Sequence, residues 1–166
     1  GAEAGATALL DTGEAHGVIP AQWTLTAAIA DQGNDGRVQA DDPVLAGRTV
    51  YGRIAATGRW TSQVQHVSDR SFRTHVKLVH AAADGSVTGA EGVLVGAGDG
   101  RCRIELIPAT APVEVGDLVF TAAAIPGIGE SLFIAEVIRA EIPPGSVDWV
   151  IEAQPGVGAV EVDQGR

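Results

Sequence analysis

Three aspartates raise the first chemical question. In DQGNDGRVQADD, residues 31–42, Asp31, Asp35 and Asp42 take the first, fifth and twelfth places of a twelve-residue window, with Gly36 sixth. An EF-hand calcium loop spaces its oxygen ligands and its sharply turning glycine in this way. The third place, however, is Gly33, which has no side-chain oxygen, and the twelfth is the short Asp42 where a bidentate Glu is needed. Pro43 follows at once, where an exit helix would need its N–H groups. The window reads as a surface turn, and calcium is not expected.

The other reactive residue types fare no better. Of the four histidines, His16, His66, His75 and His80, the last two lie five apart in THVKLVH. On a strand that spacing points them to opposite faces, so they cannot share one metal ion. The serines (Ser62, Ser68, Ser71, Ser86, Ser131 and Ser146) include none in a G-x-S-x-G turn. GAGDG, residues 96–100, has the glycines of a phosphate loop but neither its lysine nor a following helix. Cys102 is the single cysteine, which excludes an internal disulfide and a thiolate zinc cage and suits a small buried apolar residue. No catalytic set, metal site or cofactor is expected.

Charge narrows the partners. Lys and Arg number 11 against 21 Asp and Glu, a net charge of −10. A polyanion would be repelled, so nucleic acid and anionic lipid surfaces are not expected partners. With 45% hydrophobic and 19% charged residues the chain can bury a core. No run of apolar residues is long enough for a membrane span. The sequence contains no methionine, and the expectation is a piece of a longer protein, with any anchor or targeting segment outside it.

The elements that must position these residues are strands. QWTLTAAIA alternates Trp23, Leu25, Ala27 and Ile29 against polar and small residues. RCRIELI places Cys102, Ile104 and Leu106 on one face, and THVKLVH places Val76, Leu78 and His80 on one face. SLFIAEVIRAEI and DWVIEA read as further strands. Turn signals intervene at Gly33–Gly36, Asp84-Gly85, Asp99-Gly100, Gly116-Asp117 and Pro143-Pro144-Gly145. Asp99-Gly100 is a hairpin tip between GVLVG and RCRIEL. This many short strands and turns indicates an all-β sandwich or barrels. Residues 38–44 (VQADDPV) and 113–119 (VEVGDLV) echo one another, an Asp turn before an apolar strand, and suggest similar corners of one barrel.

In order and spacing, these turns resemble the rod shape-determining protein MreC family over about residues 25–140. In the first half the matching residues are Asp31, Gly33, Gly36, Val38, Gly52, Arg53, Ile54, Ser62, Val64, Val67 and Asp69. In the second they are Gly92, Leu94, Gly96, Val113, Gly116, Asp117, Val119 and Thr121. After Thr121 the chain departs from the family: AAAIPGIG, residues 122–129, replaces a Ser-Gly, Gly-rich and Phe-Pro loop.

The resemblance implies an all-β fold of two small six-stranded-type β-barrels, the second inserted into the first. Residues 21–60 plus 113–155 would form the first and 61–112 the second, after an N-terminal lead-in, 1–20, and before a disordered tail, 156–166. It also implies a non-catalytic scaffold of cell-wall elongation, placed on the periplasmic, extracytoplasmic side of the cytoplasmic membrane and anchored there by a missing N-terminal segment. Implied partners are a class B penicillin-binding protein, MreD and the MreB complex, with self-association into a dimer or filament. Asp31, Gly33, Gly36, Gly52, Asp69, Gly92, Gly96, Gly116, Asp117 and Thr121 would then be turn residues rather than ligands. Ile125, Pro126 and Ile128 form a candidate interaction loop, with plugging of a barrel end as the competing role. Two other classes stay open: a hydrolase on a trypsin-like double barrel, which needs a converging His, acid and Ser, and a secretion or efflux adaptor β-domain.

Overall fold

Residues 25–27, 41–57 and 62–159 are described by the structure, a computed structural model. They form strands joined by turns, with no helix among the described residues. The strands are β1 (Leu25–Ala27), β2 (Pro43–Ala46), β3 (Thr49–Thr57), β4 (Ser62–His66) and β5 (Arg73–Ala81), followed by β6 (Val87–Gly96), β7 (Cys102–Glu105), β8 (Leu118–Thr121), β9 (Phe133–Glu141) and β10 (Val150–Pro155).

Six of them close on themselves in the order β5-β6-β7-β10-β9-β8 and back to β5, all antiparallel. Closure leaves this sheet no open edge. Strands β1 to β4 lie outside as an antiparallel meander, β1-β2-β3-β4, joined to the barrel by a parallel pairing of Thr49 with Phe133. The closed barrel therefore draws on both 73–105 and 118–155. The expected boundary at 112/113 falls inside it, because β8 pairs with β5 and β10 with β7.

Alternation explains the interior. Val76, Leu78 and His80 all turn inward from β5, as their spacing requires, and His75 is exposed on the opposite face. Cys102 and Ile104 do the same from β7. They join Leu94, Val119, Val137, Ile151 and Ala153 in one core that also takes in Leu45 and Val50 of the meander. Each large aliphatic side chain buried here contributes roughly 2 kcal/mol relative to exposure. At Leu106 the alternation fails. A φ of 67° swings its side chain out, 61% exposed, and Ile107 enters the core instead.

Strands β5, β7 and β9 run toward one barrel end, where the connections 82–86, 106–117 and 142–149 cross. We call it the loop end. The meander sits at the other, beside the connections 97–101 and 122–132. The Asp99-Gly100, Asp84-Gly85 and Pro143-Pro144-Gly145 turns each join neighbouring antiparallel strands, as the sequence indicates. The lead-in, 1–20, lies outside the described residues, as do 160–166. The start of the expected tail is not loose, however: Gly156 N–H donates to the Ile134 carbonyl at 2.9 Å.

Candidate functional site

The second-half motif residues and Asp69 hold the barrel's joints. Asp69 caps the β4–β5 turn, where its Oδ1 accepts from Ser71 N–H at 2.8 Å and from Ser71 Oγ at 2.6 Å. These bonds hold its carboxyl below the ordinary carboxylate range. Gly96 lies directly against this turn: a Cβ there would come 1.8 Å from the Asp69 carbonyl oxygen. The Ser-Asp turn of the first half and the hairpin glycine of the second thus meet in space. Gly52 of β3 faces the Gln65 carbonyl of β4, and Gly92 of β6 faces Glu105 and Ile107. Asp31, Gly33 and Gly36 lie outside the described residues.

Gly116 and Asp117 build the corner that enters β8. Gly116 has φ 98°, which favours glycine. Its N–H donates to Val137 O at 2.8 Å, and Val137 N–H returns to Asp117 O at 2.9 Å, a bulge of two residues against one. Asp41 (φ 73°) and Asp42 repeat this geometry against Ile54 before β2, at 2.7 and 2.9 Å. The sequence echo is therefore a repeated corner, though one copy opens the meander and the other a barrel strand. Its part at Val38–Ala40 lies outside the described residues.

Asp117 is buried and does more than turn the chain. His80 Nδ1–H donates to its two carboxylate oxygens at 3.1 and 3.0 Å, and Glu114 N–H donates to Oδ2 at 2.8 Å. A Glu114 oxygen also approaches His80, at 3.8 Å, so the three side chains offer one atom each within 4.8 Å of one another. With both Asp117 oxygens already accepting, the group locks the β5 end to the 106–117 connection. Sequence reading put His80 inward and Asp117 in a turn; the Leu78↔Val119 register that brings them together was not visible in it. Thr121 locks the other end of β8, donating to Ala123 O at 2.9 Å and accepting from Leu132 N–H at 3.0 Å.

One serine–histidine pair is present. His66 Nδ1 lies 2.7 Å from Ser68 Oγ and accepts from Ser68 N–H at 3.1 Å. Its Nε2–H therefore donates to the Val157 carbonyl at 2.8 Å, in the place where a catalytic pair would have a carboxylate. Burial pushes the His66 pKa below 6.5, opposed in part by the Val157 bond. Ser68 and His66 are both buried, and the pair serves as a turn clasp. Cys102 Sγ, in the barrel interior, donates to Val67 O at 3.3 Å, and burial raises its pKa to about 12.

The candidate loop at residues 125–128 turns mostly inward. Ile125 is 7% exposed within the core, Ile128 packs partly buried against it, and Pro126 and Gly127 are exposed. Ile125 N–H bonds to Glu130 O, and Ile128 and Gly129 bond back to Ile125 O, each at 2.9 Å. Both isoleucines pack against the core at the meander end. Large exposed apolar side chains lie elsewhere: Leu106, Ile142, Val147 and Val150 stand at the loop end.

A family model described as rod shape-determining protein MreC, barrel core, matches residues 17–164. The chain belongs to the MreC family. Over 94 residues it is 28% identical to the cell shape-determining protein MreC of Caulobacter vibrioides (strain NA1000 / CB15N), a stretch covering 57% of this chain and 25% of that protein. The aligned stretch thus spans a quarter of that MreC's length. Among solved structures it resembles MreC from Pseudomonas aeruginosa, at TM-score 0.59 and 21% identity, covering 87% of this chain and 88% of that one. It also resembles a chain in the complex between Penicillin-Binding Protein (PBP2) and MreC from Helicobacter pylori, at TM-score 0.50 and 12% identity, covering 82% and 78%. At these identities the MreC likeness is one of fold.

Proposed function

We propose that this chain is the extracytoplasmic β-domain of a cell-shape scaffold, non-catalytic, which works by holding a class B penicillin-binding protein. The MreC match across residues 17–164 carries this reading. The solved complex of a relative with a penicillin-binding protein supports the choice of partner. The site chemistry agrees with it. The buried His66–Ser68 pair ends on a carbonyl, and among the described residues His80 bonds to Asp117 rather than to a serine. Placement outside the cytoplasmic membrane, contacts with MreD and the MreB complex, and self-association belong to the same proposal.

Binding of the chain to the extracytoplasmic domain of the penicillin-binding protein from the same cell tests it, by surface plasmon resonance. The expected result is saturable binding, and cells that lack this region lose their rod shape. Absence of binding together with unchanged cell shape would sink the proposal. A fluorophosphonate serine probe should leave the folded chain unlabelled; labelling at Ser68 would favour the hydrolase reading instead.

A further inference from the structure

The large hydrophobics that remain exposed among the described residues are Val87, Leu106, Val115, Leu118, Ile138, Ile142, Val147 and Val150. All eight lie on the loop-end half of the barrel, in its three connections or the strand segments next to them. Scattered surface apolar residues need no explanation, but this many gathered at one end, with none at the meander end among the described residues, mark an interaction surface.

Two of the three connections form one platform. Ala109 N–H donates to Val147 O at 2.8 Å, Trp149 N–H to Ile107 O at 2.9 Å, and Trp149 Nε1–H to Ala111 O at 2.8 Å. These bonds set the 106–117 segment against the 142–149 hairpin, with Leu106, Val147 and Val150 exposed on it. Leu106 is held there in the left-handed region at φ 67°, a conformation disfavoured for a leucine. Strict alternation would have buried it.

Charge identifies the occupant. The three loop-end connections carry Asp84, Glu114, Asp117 and Asp148 and contain no Lys or Arg. The exposed arginines on the adjoining strands, Arg103 and Arg139, pair with Glu105, Glu141 and Glu152, so the platform keeps an acidic excess and repels a second copy of itself and an anionic bilayer. It complements an apolar protein patch that carries Lys or Arg at its rim.

We propose that the loop end, centred on Leu106, Val147 and Val150, docks an apolar, cation-rimmed surface of the partner protein. This rests on the scaffold reading above and names the face that reading leaves open.

The test compares three chains for binding to the extracytoplasmic domain of the penicillin-binding protein. They are the wild type, Leu106→Asn/Val147→Ser, and Glu114→Lys/Asp148→Lys. Asn is at ease at positive φ, so the first variant should melt at or above the wild-type temperature. Both variants are expected to bind at least tenfold more weakly, and wild-type affinity should fall as salt rises. Wild-type affinity in both folded variants would overturn the docking face and leave the scaffold reading intact. No binding by the wild type would overturn the scaffold reading and the partner chosen here. If Leu106→Asn/Val147→Ser instead abolishes a wild-type dimer in sedimentation velocity, or binding to phosphatidylglycerol vesicles, the occupant is a second copy or a membrane and the proposal is wrong.

Discussion

At the scale of single residues, the motif positions are steric and electrostatic rather than chemical. Gly96 has backbone where a side chain would go, so Gly96→Ala should destabilise the chain by about 3 kcal/mol, the upper end of overpacking losses. Gly100→Ala has open space at φ 87° and should cost only about 1 kcal/mol. Urea denaturation of both variants checks the contrast; equal losses would mean that the backbone beside Gly96 yields to a Cβ at little cost. His66 gives a pH signature. Its folded pKa is depressed below 6.5, so as pH falls through that value the unfolded chain takes up a proton first and stability declines. The contribution is complete above the unfolded pKa. Melting temperature should fall from pH 7.5 to 5.5, and His66→Gln should flatten that slope whatever it does to the absolute stability. The inward place of His80 and the burial of Cys102 were legible in the sequence, because alternation states them. The outward turn of Leu106 was not, since nothing local distinguishes an αL leucine from an inward one.

At the scale of elements, the repeated corner is the informative unit. Asp41-Asp42 and Gly116-Asp117 each pair a positive-φ residue with an acid at a strand entrance. In the second copy the acid also carries the His80 contact and the Glu114 N–H. Asp117→Ala removes both and leaves a buried imidazole unpaired, a loss of roughly 3 kcal/mol. Asp117→Asn keeps an acceptor for Glu114 N–H, so its midpoint in urea should lie between Ala and wild type. An Asn variant as unstable as the Ala variant would place the whole effect in the carboxylate's hydrogen bond with His80. Hairpins were legible here because Asp-Gly and Pro-Gly turns announce themselves locally. Pairings between distant strands, β5 with β8 above all, depend on barrel closure and leave no local mark.

At the scale of the whole molecule, closure decides what sequence order suggests otherwise. A division at 112/113 follows the motifs, yet the barrel takes strands from both sides of it. The candidate loop of Ile125 and Ile128 shows the same limit. An apolar turn can plug or bind, and only the barrel end beneath it decides. Cys102 reports on closure directly. With its thiol buried and its pKa near 12, it should resist maleimide at pH 7.5 until the barrel opens. Labelling at the same rate as a free thiol would contradict the closed interior.

The seam between meander and barrel has a mechanical consequence. Among the described residues only Thr49 and Phe133 pair across it as strands, while the apolar core takes in residues from both sides. Gly156 wedges against both residues, and the strap it begins bonds to β9 through Ile134 and to β4 through His66. Side-chain packing resists pulling apart but sets little direction along the contact, unlike a hydrogen-bond ladder. Under tension the two bodies would slide before either sheet unravels, and the strap would limit the travel. A chain jointed in this way can transmit load while its barrel keeps its shape.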